Sequence, residues 1–328
     1  MRLRWSPLWL VVALAAAPPA LAQDLHGTRP LGMGEAYRSL ASGNEALYYN
    51  PAGITAVARY SPELHYQFNL DRALHEVDLS VVDSVTNALG VGIGYTFVNR
   101  EPGDQAVQGH RATLALAYPI LPGMFNLGAG FKYLNISQAL AGNFVSALTA
   151  DVGVILTPGL GLSFALVGYN LVPITSNEAP LSMAAAASWS MEGLTLAFDW
   201  TLDLESLSPP GMGFHGGAEY LLFDMFPLRV GYENDQVRQQ SAITFGTGFV
   251  LEWFGIDLAY QQRLERFDDR TFGVALKFYL FQIPSPTATP GTYRPNTGSP
   301  LMPGAPGGMG PQLPNPLEGG SPVSANPM

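Results

Sequence analysis

The sequence predicts an all-β fold: a transmembrane antiparallel β-barrel of about 14 strands, with a short N-terminal helical plug and a disordered C-terminal tail. Three observations point there. First, stretches of about ten residues, the length a tilted strand needs to cross a bilayer, alternate large apolar with small or polar side chains. Phe254, Ile256, Leu258 and Tyr260 alternate with Gly255, Asp257, Ala259 and Gln261, and Leu194, Leu196, Phe198 and Trp200 with Thr195, Ala197, Asp199 and Thr201. Second, 13% of residues are charged and 47% apolar, whereas soluble domains carry about 25% charge. Third, the apolar residues form no helical span. The charge-free run Val152 to Asn177 is interrupted by Thr157-Pro158-Gly159-Leu160-Gly161, which reads as a turn between two strands.

In chain order, residues 1–22 read as a secretory signal peptide. Arg2 and Arg4 precede an apolar run, Leu8 to Ala17, and Ala20-Leu21-Ala22 supplies the cleavage signal. Its removal takes away two arginines and no acid, so the formal charge moves from -10 to -12. Such an acidic chain is unsuited to nucleic acid, whose phosphates demand a basic surface. With no cysteine, disulfides and thiolate metal sites are excluded.

Residues 23–60 precede the alternating segments. Ser42-Gly43-Asn44-Glu45 matches a capping box and predicts a helix from there through Tyr49. Asn50 is barred from helix by Pro51, and Gly53 permits a turn. Gly32 to Tyr37 predicts a second short helix. Pieces this short are stable only when packed into something, and the lumen of so large a barrel needs filling. Residues 23–60 are therefore expected to form a plug.

Residues 61–281 are expected to form the wall, with segments near 61–70, 74–83, 89–99, 109–118, 125–136, 146–156, 161–171, 181–190, 194–204, 212–222, 226–235, 240–251, 254–263 and 270–280. The less apolar face is rich in glycine, alanine, serine and threonine, as in Gly92, Gly94 and Thr96, where a soluble sandwich would expose lysine and glutamate. Tyr118, Tyr133, Trp189, Tyr220 and Trp253 fall near segment ends, as an aromatic girdle would. From 282 to 328 the chain is a proline- and glycine-rich tail. Ile283 to Met328 holds twelve prolines, eight glycines and two charges, a composition that builds no core.

The plug residues also carry a resemblance. Gly32-Met33-Gly34-Glu35-Ala36-Tyr37, Asn44-Glu45-Ala46-Leu47 and above all Tyr49-Asn50-Pro51-Ala52-Gly53 resemble the N-terminal signature of the FadL superfamily of outer-membrane barrels. That group includes fatty acid and hydrocarbon transporters and a PorV/PorQ-like branch associated with secretion. The resemblance implies a plugged barrel in the outer membrane of a Gram-negative bacterium, surrounded by outer-membrane lipid. The chain departs from the transporters in its short loops and in the tail that follows its last strand.

The candidate site is the plugged lumen. Asn50, Pro51, Ala52 and Gly53 form the plug motif, and Leu31, Met33, Tyr37, Leu47, Tyr48 and Ile54 are candidates to line an apolar pocket. Lys132, Asp151, Asp199, Glu219, Arg229, Asp257 and Lys277 fall on the lumen face as candidate ion pairs, with Arg38 and Glu45 as partners from the plug. The same face carries Glu63, His65, Gln67, Asp78, Arg111, Asp203, His215, Glu233 and Arg263. Unpaired charges in a narrow interior are costly, so mixed signs there imply pairing. His26, His65, His75, His110 and His215 show no metal-binding spacing, no catalytic motif is present, and the Gly90-Val91-Gly92-Ile93-Gly94 run has the two-residue period of a strand face. No metal, cofactor or enzymatic activity is expected. Two functions fit: passage of hydrophobic small molecules through the plugged lumen, or a non-transport scaffold of the PorV/PorQ type that holds a periplasmic or secretion partner through its tail.

Overall fold

The computed structural model describes residues 27–283, apart from 72, 101–106, 139–143, 175–178 and 238. The expected leader and residues 284–328 of the expected tail lie outside the described residues. The alternation forms strands. They are β1 (Ala58–Asn69), β2 (Leu74–Asp83), β3 (Gly90–Arg100), β4 (Val107–Leu121) and β5 (Phe125–Gln138). Then come β6 (Phe144–Gly159), β7 (Leu162–Tyr169), β8 (Ser182–Met191), β9 (Leu194–Asp203) and β10 (Gly211–Leu222). The series ends with β11 (Phe226–Asp235), β12 (Gln240–Val250), β13 (Phe254–Arg263), β14 (Arg270–Phe278) and the short β15 (Phe281–Ile283).

Each strand pairs antiparallel with its sequence neighbour, and β14 closes on β1 through a register from Glu63↔Lys277 to Asn69↔Thr271. After a break at Tyr279 and Leu280, β15 continues beside β1 at Ala58 to Tyr60. The wall is thus a closed barrel of fourteen positions, and it runs two residues past the expected boundary at 281. Closure leaves no unpaired edge around the ring, which an apolar surround requires because no water is there to satisfy exposed backbone groups.

The apolar stripe points outward. Leu258 is 48% exposed while its neighbours Asp257 and Ala259 are 3% and 6% exposed. Ile93, Leu148, Leu166 and Phe198 are likewise exposed, and Thr96, Thr149, Asp199 and Ala197 are buried. This inverts a soluble sandwich, whose apolar face would be inside. An arginine at the lipid-facing midpoint of a strand should therefore be destabilising: Leu166→Arg is expected to lower unfolding free energy in lipid bilayers by about 2–4 kcal/mol, and a neutral result would argue against the outward face meeting hydrocarbon.

At the end of the barrel where β1 begins, five of the six hairpins turn in two or three residues, and the β2–β3 connection, 84–89, is longer. Leu160-Gly161 and Glu192-Gly193 each place two consecutive residues in the left-handed region, with φ of 55° and 77° and of 48° and 85°. That is the turn geometry whose twist matches the flanking strands, and glycine supplies its second position without strain. The longer connections, such as 170–181 and 204–210, lie at the opposite end.

Inside the wall sits the segment 27–57. It contains helices α1 (Thr28–Gly32) and α2 (Ala46–Tyr49), with 3-10 turns at Gly43–Glu45 and Pro51–Thr55. The expected helix through Tyr49 is present, as a 3-10 turn at Gly43–Glu45 that runs into α2, although Ser42 makes no side-chain cap and the Glu45 carboxylate is bound to Lys277 of the wall. One expectation needs correction. The first helix lies upstream of Gly32–Tyr37: Gly34 and Glu35 are left-handed, at φ 62° and 63°, which ends the helix there. There contact of Gly34 with the wall at Tyr232 overrides the local signal.

Candidate functional site: the plugged lumen

The Asn50-Pro51-Ala52-Gly53 motif is where plug, turn and wall meet. Asn50 is extended, at φ -164°, and its Oδ1 accepts from the Ala52 N–H at 3.1 Å, capping the 3-10 turn that Pro51 begins. Its Nδ2 donates to the Arg38 carbonyl at 3.1 Å and to the Val154 carbonyl of β6 at 3.2 Å. One amide thereby fastens two plug segments to the wall. The next residues must be small for the same reason. A Cβ at Gly53 would strike the Ala41 carbonyl, and Gly128 and Gly153 of the wall lie flush against Pro51-Ala52 and the Asn50 side chain.

Charge provides a second fastening. Arg29 on α1 forms a two-pronged pair with Glu219 of β10, at 2.9 and 2.7 Å. Glu219 also accepts from Arg229 Nε at 2.6 Å, and Arg229 Nη1 donates to Asp257 Oδ1 at 2.6 Å. Asp257 Oδ2 lies 3.1 Å from Lys277 Nζ, which in turn donates to Glu45 on the plug. The chain Arg29–Glu219–Arg229–Asp257–Lys277–Glu45 starts and ends on the plug and alternates in sign throughout. Arg229 reaches from β11 to β13 because the intervening strand presents Gly246 there; a Cβ at Gly246 would sit 3.2 Å from that of Arg229. Burial opposes ionisation of Glu45, but Lys277 outweighs it and holds the carboxyl below its ordinary range.

A third fastening involves Arg38. The backbone N–H groups of Tyr37 and Arg38 donate to Asp199 Oδ2 at 3.0 and 2.9 Å, and Arg38 Nη1 donates to the same oxygen at 3.1 Å. Arg38 Nε donates to the Tyr169 hydroxyl, whose own proton goes to the Tyr49 carbonyl. Lys132 pairs with Asp151 at 2.8 Å and donates to Asn170, a link within the wall alone. All seven candidate charges on the wall are thus brought into pairs. Arg29 and Tyr169 were not singled out from sequence. The signal that could have found Arg29 is a charge count, since Glu219, Asp257 and Glu45 need a third cation beside Arg229 and Lys277.

The six candidate pocket residues are all buried, and of these Tyr48 alone lines a cavity beside the plug. Leu47 and Ile54 fill the lumen against Gly92, and Met33 packs on Gly217 and Gly231. Tyr37 stacks edge-on against Tyr49 at 5.6 Å. Leu31 contacts Gly273. These side chains seal plug to wall. The cavity, about 90 Å³, lies on the long-loop side of the plug. Arg38, Tyr48, Arg111, Lys132, Tyr169 and Thr201 line it, with Glu35, Asp203, His215 and Val237, and it reaches Met183 and Leu202 at the rim. At its edge His215, paired with Glu233 across β10 and β11, bonds the Gly34 carbonyl at 3.1 Å.

No protein-family model and no curated protein matches the chain. Solved structures do. The P. putida toluene transporter TodX superposes with a TM-score of 0.61 at 12% identity, over 78% of this chain and 98% of that one. The Ralstonia pickettii toluene transporter TbuX gives 0.58 at 12% identity, over 78% and 98%. The monoaromatic hydrocarbon channel CymD gives 0.56 at 12% identity, over 76% and 95%. The chain has the fold of these hydrocarbon channels. It is the fold that the plug motif's resemblance to the FadL superfamily implies, reached here with almost no shared sequence.

Proposed function

We propose that the protein is an outer-membrane channel of a Gram-negative bacterium that admits small hydrophobic or amphipathic molecules from the long-loop side. Its cavity against the plug carries this reading. Ligand would rest among Tyr48, Tyr169, Arg38 and Lys132, a lining that suits a ring or short chain bearing a polar group better than a plain alkane. The shared fold with proteins named as toluene transporters supports the substrate class. With the plug in place, onward passage needs the plug to shift or the wall to open beside it.

The test is uptake of radiolabelled toluene and of a medium-chain carboxylate by cells with and without the protein, and with Thr201→Trp, which fills the cavity from β9. Uptake in the variant is expected to fall about tenfold, to the level of cells lacking the protein, consistent with loss of roughly 1.4 kcal/mol or more of binding. Equal uptake with and without the protein would remove the channel reading. A scaffold role is the second reading, favoured by the ionic chain that ties both ends of the plug to the wall. It predicts a stable partner that is lost when residues 284–328 are deleted, alongside unchanged uptake.

A further inference from the structure

The β1–β2 hairpin holds a group of side chains that neither the plug fastening nor the cavity uses. Its register sets Glu63 opposite Ser80, His65 opposite Asp78 and Gln67 opposite Glu76, and all of these pairs face the lumen. One ligand-capable atom each from His65, Glu76 and Asp78 lie within 4.8 Å of one another. Asp78 Oδ2 sits 3.0 Å from His65 Nδ1, and the Asp78 carboxylate is itself held by the Thr96 hydroxyl. A carboxylate on Nδ1 fixes the proton there and leaves Nε2 as the nitrogen with a free lone pair.

That lone pair has no hydrogen-bond partner, although His65 is 2% exposed. Glu63 Oε2 is in the same condition, in a residue 6% exposed. The cation opposite Glu63 in the register is Lys277, but Lys277 is turned to Glu45 and Asp257. His65, Glu63 and Asp78 line one small pocket of about 10 Å³, closed on the plug side by Tyr48 and Glu45. It has room for one ion or one water. Two buried acceptors satisfy each other only if a proton or a cation joins them, and leaving them without one is costly.

We propose that this pocket is a binding site for one divalent metal ion of zinc's class, with His65 Nε2 and the Glu63 carboxylate as ligands. The chemistry of the set points there. An imidazole nitrogen with carboxylate oxygens and no thiolate suits zinc, with manganese as its near competitor. Asp78 is the orienting carboxylate behind the histidine, an arrangement that metal-ligating histidines commonly show. Glu76 adds negative charge beside the ring. The site was invisible as a sequence motif because its two ligands lie only two residues apart on one strand, and the carboxylates beside the ring, Glu76 and Asp78, come from eleven and thirteen residues further along the hairpin. It is independent of what the channel carries. Because Tyr48 closes the pocket, the ion would also firm the plug against β1 and β2.

The experiment uses tag-free, full-length protein in detergent, stripped with chelator and titrated with ZnCl₂, MnCl₂ and, as a spectroscopic probe, CoCl₂. One equivalent of zinc should be retained through gel filtration and should raise the unfolding midpoint, since an ion that binds only the folded state stabilises it. Bound cobalt should show visible absorption from a nitrogen- and oxygen-ligated site. His65→Ala and Glu63→Gln should abolish retention, and Asp78→Asn should weaken it about 10- to 100-fold. His75→Ala with His110→Ala, altering two histidines on the outer face, should leave binding intact. Failure of folded wild-type protein to retain any metal would overturn the proposal, leaving a water or a proton in the pocket. So would binding that survives in His65→Ala and Glu63→Gln, or that is lost with His75 and His110, which would mark an adventitious surface ion only. Should a variant not fold, absence of the cobalt spectrum in the wild-type protein decides the matter alone.

Discussion

Arg229→Ala is expected to destabilise the folded barrel by about 3–5 kcal/mol, measured by denaturant unfolding in lipid bilayers, because it breaks a buried ionic chain at its centre. Arg229 is the only link between Glu219 and Asp257, each 2.6 Å away, in that six-member chain. Without it, both carboxylates stay buried with one cation each, Arg29 for Glu219 and Lys277 for Asp257. Loss of a cation from a dry site leaves charge uncompensated, and the penalty reflects that more than the worth of the original contact. Two further variants separate these effects. Arg229→Ala combined with Asp257→Asn should recover part of the loss by removing the stranded charge. Gly246→Leu should resemble Arg229→Ala, since it fills the lane through which the arginine crosses β12. A loss below about 1 kcal/mol for Arg229→Ala, the range of exposed pairs, would mean that water reaches the chain.

Gly128→Val should unseat the plug without preventing closure of the wall. A Cβ at Gly128 would strike the backbone of Pro51 and Ala52, which cannot move aside while Asn50 is bonded to Arg38 and Val154. The wall closes through β14 and β1 by its own backbone pairing. The expected result is a folded barrel whose single-channel conductance in planar bilayers rises severalfold and whose segment 27–57 becomes open to protease. Gly130→Ala is the matched control: it lies on the same strand and face, and its Cβ would meet only Asp151 at 3.8 Å, an ordinary contact. Conductance unchanged in Gly128→Val would show that the plug backbone yields where the close approach says it should not.

These two sites differ in how far they could be read beforehand. The strands were legible because their side chains alternate at a period that only an extended backbone produces, and low charge on the second face placed the apolar one outward. Observed strands such as β2, β11 and β13 coincide with the expected segments at both ends. The motif Asn50 to Gly53 marked the plug, but its residue sizes made sense only once Gly128 and Gly153 lay against it. Helix signals in the plug were half right. The Ser42–Glu45 stretch opens the expected helix through Tyr49 without its side-chain cap, whereas the Gly32–Tyr37 helix, a local preference of order 1 kcal/mol, gives way to wall contacts near Gly34.

By itself the sequence determined the class of fold, the outward direction of the apolar stripe and the sign of every charge inside, since all three follow from periodicity and composition along the chain. Only the tertiary structure decided which charges meet. Arg29 with Glu219, Arg38 with Asp199 and His65 with Asp78 are set by strand register and by where glycines let the plug approach. Partners 13 to 190 residues apart leave no periodic trace in the chain that carries them.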